Sequence, residues 1–218
     1  METVIIGAGG HGRVVLDILR AAGQYRPMGF LDAQPTLTGA QVAGLEVLGD
    51  VSLLPKLQQQ KLSHAIVAVG DNRARLAYAQ LLLEHGFELI TAIHPRAHLS
   101  SGVQVGRNVV IAAGAIICTQ VKIDDSAIIN TGAIVDHECR IGAGAHIAPG
   151  AALAGRVQVE SGAFVGLGAR VIQRLTIGSF ATVGAGAVVL EDVPADTAVV
   201  GVPARCLPPI ESQRNCLT

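Results

Sequence analysis

His137 stands between two carboxylates, in the run Asp136-His137-Glu138. An imidazole with its ordinary pKa of ~6.5 can take up and return a proton near neutral pH, and flanking carboxylates raise its basicity and hold its ring. A second chemistry is written near the other end of the chain. Gly7-Ala8-Gly9-Gly10-His11-Gly12 follows the β-branched run Thr3 to Ile6, and Asp32 lies twenty residues beyond Gly12. This is the dinucleotide fingerprint: glycines that bring backbone amides to phosphate at a helix start, and an acid for a ribose. On the motif alone an NAD(P) site is a fair reading, although nothing downstream resembles a complete second mononucleotide half. Gly70-Asp71-Asn72-Arg73 follows another apolar run and is a second candidate lip of the same pocket.

The elements that must position these residues are of two kinds. Up to residue 92, short β-branched runs alternate with stretches of helical spacing. Strands are expected at Thr3–Gly7, Met28–Asp32 and His64–Val69, helices from Gly12 to Gly23, over Val51–Lys61 and over Asn72–His85, and a short strand or hairpin at Gln41–Gly49. Alternating strand and helix implies a small parallel α/β sheet, a Rossmann-like domain. From Ile93 the chain instead repeats every six residues. An aliphatic residue opens each of seventeen hexads, from Ile93, Leu99 and Val105 to Val183 and Val189, and a second, usually small apolar residue follows four positions later. Such a period is the mark of a parallel β-helix. Three hexads make one triangular coil, coils stack at ~4.8 Å, and the prism is ~27 Å tall. Aliphatics fill the interior, and glycines at second and fourth positions are expected to supply positive φ at corners. The domains are therefore 1–92, 93–194, and a C-terminal segment and tail over 195–218, the polar end of which is expected to be mobile.

Counting along this lattice places the residues. His137 falls at a turn, where its side chain can point outward. Gly155 is one coil of eighteen residues above it, ~4.8 Å away in the backbone. His146 is nine residues from His137, half a coil, so the two lie on different sides of one prism and share a site only if another subunit presents one of them. A three-histidine zinc site is ruled out on the same grid. His98 and His137 are more than two coils, ~10 Å, apart along the axis, beyond the reach of Zn–N bonds of ~2.1 Å. No metal is expected.

Composition excludes other classes. The chain is 50% hydrophobic but only 3% aromatic, without Trp, as befits layered Ile, Val, Leu and Ala and not an aromatic core. Sixteen basic against seventeen acidic residues leave no basic stripe for nucleic acid. The four cysteines show no close pairing and read as thiols of a cytoplasmic protein. The N-terminus lacks the basic flank and apolar run of a signal peptide. The longest uncharged run, Leu175 to Leu190, is short of the ~20 residues of a membrane span and belongs to the hexads.

Taken together, the unbroken hexads, the closing Gly201-Val-Pro203-Ala-Arg205, the start Ile6-Gly-Ala-Gly-Gly-His-Gly-Arg-Val-Val15 and the segment Ile129 to Gly142 around His137 resemble the left-handed β-helix sugar acetyltransferases with a Rossmann-like N-terminal domain. Their members act on nucleotide-linked amino sugars, as in bacillosamine or perosamine biosynthesis, and sialic acid O-acetyltransferases share the layout. The resemblance implies a left-handed coil, a homotrimer, and acetyl-CoA in the cleft between neighbours. It implies that His137 is a general base toward the sugar amine, tuned by Asp136 and Glu138, with Asn130 orienting it. It implies that the Gly155 N–H binds the thioester oxygen and that His146 contacts the thioester region. Gly166, Gly184, Ala185 and Pro203 to Arg205 would line the rest of the CoA channel, with Arg205 on a phosphate or the adenine. It reassigns the glycine-rich start to a nucleotide sugar: Gly9, Gly10, His11 and Gly12 at phosphate or sugar, Asp32 at base or ribose, and Asp71 and Asn72 at the lip. Two rival functions stay open at this point, O-acetylation of a sialic acid or other sugar, and a non-catalytic nucleotide-sugar-binding trimer.

Overall fold

The computed structural model of the protein describes residues 1–207; the polar tail expected to be mobile, residues 208–218, lies outside the described residues. The N-terminal region is a six-stranded sheet in the order β3-β4-β2-β1-β5-β6. Its elements are β1 (Glu2–Ile6), α1 (Gly10–Ala22), β2 (Arg26–Leu31), β3 (Gln41–Val42), β4 (Leu45–Gly49), α2 (Leu54–Gln59), β5 (His64–Val67), α3 (Asn72–Glu84) and β6 (Glu88–Leu89). All pairs are parallel except the β3–β4 hairpin. The expected helix over Val51–Lys61 is instead a 3₁₀ turn, Val51–Leu53, capped by Asp50, followed by α2 with Pro55 in its first turn. Helix α1 stops where Gly23 takes the left-handed conformation, φ 70°.

From Ala92–Ile93 onward the strands are two residues long and pair with the strand eighteen residues away, as Val110–Ile111 does with Ile128–Ile129. They form three sheets, which are the faces of a left-handed parallel β-helix. The first face runs from Ala92–Ile93 through His146–Ile147 and Phe164–Val165 to Ala198–Val200. The second runs from His98–Leu99 through Ile116–Ile117 and Ile134–Val135 to Val188–Val189. The third runs from Gln104–Val105 through Arg140–Ile141 to Thr176–Ile177. The first-position aliphatics and fifth-position alanines form one continuous buried column from Val109 to Val199. Each fully buried Ile, Val or Leu contributes about 1.5–3 kcal/mol.

The two glycine positions of the hexad serve different purposes, and only one of them is the purpose expected. Fourth-position residues do turn the corners with positive φ: Gly132 at 65°, Gly144 at 66°, and also Glu138 at 59°. Second-position glycines have ordinary φ and are required by stacking. A Cβ on Gly142 would lie 2.7 Å from the backbone of Glu160 and Ser161 in the next coil, and one on Gly166 would lie 2.6 Å from Val183 O.

Helix α1 lies between the sheet and the first face. Its buried Val15, Ile18 and Leu19 share one apolar cluster with Ile5 and Phe30 of the sheet and with Ala92, Val110 and Ile128 of the β-helix. Helices α2 and α3 cover the opposite side of the sheet.

Candidate active site

His137 and Gly155 occupy one column of corners between the second and third faces. Gly155 is without a side chain where the imidazole lies: a Cβ there would fall on the ring, against Nε2 and 2.5 Å from Cε1. Glu138 Oε2 meets His137 Nδ1 at 3.0 Å and also accepts from Arg156 Nε at 2.9 Å. These hydrogen bonds, from Arg156 first and His137 second, hold the Glu138 carboxyl below its usual range. An ionised Glu138 requires the proton on Nδ1, which leaves the Nε2 lone pair free beside Gly155. Asp136 Oδ1 accepts from the His137 backbone N–H at 2.7 Å and fixes the turn. The Gly155 carbonyl accepts from Arg174 N at 3.1 Å, while its N–H has no acceptor among the described residues. A groove of about 420 Å³ opens over this corner, lined by Asp136, His137, Gly155, Arg156 and Arg174. A proton acceptor and a free amide therefore sit side by side, the pair that acyl transfer needs.

His146 is on the first face, not at an open edge, and is nine-tenths buried. Its ring centroid lies 6.4 Å from that of His11, at the start of α1, and it meets Phe164 edge-on at 5.2 Å. Asn130 donates through Nδ2 to His146 Nε2 at 3.1 Å, with its Oδ1 taken by Thr131 N at 2.8 Å. Asn130 thus orients His146; within one chain its amide is committed there and not to His137, because residue 130 turns the corner before the second face and residue 137 the corner after it. With Nε2 accepting, the proton of His146 is on Nδ1, and neither His146 Nδ1 nor His11 Nε2 has a partner among the described residues. Burial, and then the nearby Arg75 cation, pushes His11 down to about 4; the same two causes, with His11 third, push His146 down to about 3. Both rings are neutral at physiological pH.

The glycine-rich turn divides into two pairs. Gly7 and Gly12 pack against each other, since a Cβ on Gly12 would strike Gly7 O, so Gly12 fits the helix closely to the strand. Gly9 and Gly10 have open space where a Cβ would stand, at the N-terminus of α1. Asp32 braces the turn by accepting from Ala8 N at 2.7 Å and Gln34 N at 2.9 Å, and it lines a cavity of about 290 Å³ with Ile6, Gly7, Val69, Ala74 and Tyr78. Asp71 and Asn72 are not lips of that cavity. Asp71 caps α3 by accepting from Ala74 N at 2.8 Å, and Asn72 donates to Gly162 O at 2.9 Å and Ala163 O at 3.2 Å on the β-helix. They line a separate groove with Phe164, Phe180 and Thr182, because the start of α3 faces the β-helix.

Residues 2–82 match the family described as the PglD N-terminal domain. The structure of PerB from Caulobacter crescentus in complex with CoA and GDP-perosamine superposes with a TM-score of 0.91 at 47% identity, covering 95% of this chain and 98% of that one. The chain belongs to the hexapeptide β-helix sugar N-acetyltransferases with a PglD N-terminal domain. The acetyltransferase domain of PglB from Neisseria gonorrhoeae FA1090, in complex with acetyl coenzyme A, matches with a TM-score of 0.89 at 38% identity over 94% of this chain and 98% of that one. GDP-perosamine N-acetyltransferase of Escherichia coli O157:H7 is 34% identical over 124 residues, 55% of this chain; that match spans about half, 54%, of the curated relative's length.

The remaining family positions lie elsewhere on the chain. Gly166, Gly184 and Ala185 are at the corners between the first and second faces, across the second face from His137. A Cβ on Gly184 would meet Val200 Cγ1 at 2.6 Å, so it too is a stacking glycine. Arg205 is exposed on the last strand of the described residues, Arg205–Cys206, which runs antiparallel to Ala198–Val200. One chain therefore holds two separate candidate half-sites, His137–Gly155 at one corner and His11–His146 between α1 and the first face, while the Asp32 cavity opens on the α3 side of the N-terminal sheet. Three participants were missed from sequence. Arg156 stands at a fourth position, where the hexad leads one to expect only a corner residue, Phe164 at an outward strand position that accepts any residue, and Arg75 looks like one more charge on a solvated helix. Among the described residues, no group of three or more His, Cys, Asp or Glu is placed to hold a metal ion, and no helix is long and apolar enough to cross a membrane.

Proposed function

We propose that the protein transfers the acetyl group of acetyl-CoA to the amine of a nucleotide-linked 4-amino-4,6-dideoxy sugar, GDP-perosamine or a UDP-linked relative, with His137 as general base. The observation that carries this is the His137 ring lying over Gly155 with Glu138 holding Nδ1. The neutral amine attacks the thioester carbonyl. A C–N bond forms, the carbonyl oxygen becomes an oxyanion on the Gly155 N–H, and Nε2 takes the proton the nitrogen loses. The C–S bond then breaks and the imidazolium returns the proton to the CoA thiolate. Residues 1–92 bind the nucleotide sugar, with the Asp32 cavity for the nucleoside and the Gly9–Gly10 turn for the diphosphate. Residues 93–194 carry acyl transfer, and Pro203 and Arg205 of the C-terminal segment close the CoA channel with Gly166, Gly184 and Ala185.

The two half-sites on separate faces support a homotrimer in which the His137–Gly155 corner of one chain meets the His11–His146 pair of its neighbour, with acetyl-CoA between them. The second face supports the same reading, since Ile116 and Ile134 stand outward from it at 41% exposure each, an unpartnered apolar stripe. Cytoplasmic placement follows from the acetyl-CoA supply and fits the thiol state of Cys118, Cys139 and Cys206. The test is a thermal-shift screen of UDP-, GDP-, dTDP- and CMP-linked sugars, followed by mass spectrometry and NMR of the product. Acetyl on the sugar nitrogen supports the reading. Acetylation of a sialic acid hydroxyl with no amino sugar turned over would replace it.

A further inference from the structure

Arg75 is a fully buried cation, and among the described residues no carboxylate bonds its guanidinium. Its donors reach neutral acceptors only: Nε to Ser126 O at 2.8 Å, Nη1 to Val69 O at 2.9 Å and Gly70 O at 3.1 Å, Nη2 to Gly144 O at 2.7 Å and Asn72 Oδ1 at 2.8 Å. Burying a charge in this way is costly, and the five hydrogen bonds are what offset that cost.

The acceptors belong to a seam. From β5 into α3 the chain lies along one edge of the β-helix, meeting corners eighteen residues apart. Val67 N donates to Asn108 Oδ1 at 2.7 Å, and Asn108 Nδ2 donates to Ser126 Oγ at 2.9 Å. Leu76 sits on Gly144, Asn72 bonds Gly162, and the Arg73 guanidinium stacks 3.8 Å over Phe180. Arg75 is the part of the seam nearest the two histidines. Gly144 precedes the His146 strand by two residues, and Val69 backs the Gly7 turn, where a Cβ on Gly7 would lie 3.1 Å from Val69 Cγ2. That turn leads directly into His11. The guanidinium thus joins the strand that carries His146 to the loop behind His11.

We propose that Arg75 is a positioning residue for the acceptor sugar: its fork of five hydrogen bonds sets His11 opposite His146 and so fixes how the nucleotide sugar is presented to the acetyl group. This rests on the sugar N-acetyltransferase reading above. The low pKa values of both rings, to which Arg75 contributes after burial, agree with its closeness to them. Lysine cannot replace it, because a point charge on a flexible stem cannot reach five acceptors in a fixed plane.

The test compares Arg75→Lys with Asn108→Ala, which cuts the same seam away from the histidines. Arg75→Lys is expected to lower kcat/KM for the nucleotide sugar about tenfold or more through misplacement, with CoA affinity by calorimetry within about twofold. Asn108→Ala is expected to lower Tm yet leave the nucleotide-sugar kcat/KM within about twofold. Equal behaviour of the two variants, or an unaltered Arg75→Lys enzyme, overturns the proposal. Should the lysine variant fail to fold, Asn72→Ala removes one of the five acceptors and should lower the same parameter about threefold; no change overturns the proposal. A readout independent of turnover is ¹⁵N NMR of the imidazoles. The His11 and His146 signals should move in Arg75→Lys, or in Asn72→Ala in its place, and stay put in Asn108→Ala. Unmoved signals overturn the positioning role, whereas a wild-type protein that acetylates no amino sugar overturns only the functional reading.

Discussion

A methyl group on residue 155 would occupy the space of the His137 ring. Gly155→Ala is therefore expected to push the imidazole off its column and lower kcat by ~10²-fold, without a change in any ionisable group. His137→Asn should lower kcat by ~10²–10⁴ with a smaller effect on KM, and Glu138→Gln should cost less, since the amide still accepts from Nδ1. If Gly155→Ala has wild-type kcat, the ring is not held where it must act. The buried histidines make a separate prediction about pH. Their folded pKa values, about 4 for His11 and about 3 for His146, lie below the ordinary 6.5. Below pH 6.5 the unfolded chain takes up protons that the folded chain refuses. Their stabilising effect is thus complete above that pH and is lost as pH falls toward the folded values, by up to ~1.4 kcal/mol per pH unit for each ring. Calorimetric Tm should fall from pH 6.5 to 4, and less steeply in His146→Gln; equal slopes would contradict a buried neutral pair. His137 and Gly155 were legible in sequence because eighteen-residue counting stacks them. The meeting of His11 and His146 was not, since it depends on where α1 docks on the first face. Arg75 was invisible for the same reason: a basic residue two positions after Arg73 in a helix carries no mark of burial.

At the scale of the coil, the six-residue period fixed strand positions and interior columns, because each hexad sends its first and fifth residues to the interior. It could not separate the two glycine columns, since both read simply as glycine. The structure separates them, and substitution should too. Gly142→Ala forces a Cβ to 2.7 Å from the backbone of the next coil, so the spacing itself must open, at a cost of roughly 1–3 kcal/mol. Gly132→Ala has open space and suffers only its φ of 65°, at about 1–2 kcal/mol. Chemical denaturation should therefore rank Gly142→Ala as the more damaging, with the reverse order contradicting the stacking role. In the N-terminal region the expected long helix at Val51–Lys61 is interrupted because Asp50 and Pro55 favour a turn before the helix begins.

At the scale of the whole molecule, the proposed trimer would cover the outward Ile116 and Ile134 of the second face. Ile134→Asp places a charge on that stripe and, on the proposed trimer reading, should yield monomers by analytical ultracentrifugation, with activity lost in parallel, because that reading needs His137 of one chain to meet the His11–His146 pair of another. A fully active monomer would place both half-sites in one chain, against the geometry of the faces. The most direct measurement is thiol release from acetyl-CoA, with GDP-perosamine and UDP-linked 4-amino sugars as acceptors, for the wild-type protein and for His137→Asn. The wild type should release one CoA for each sugar N-acetylated, and His137→Asn should do so ~10²–10⁴-fold more slowly. No thiol release with any nucleotide amino sugar, or a His137→Asn protein within about threefold of wild type, would contradict general-base acetyl transfer by His137.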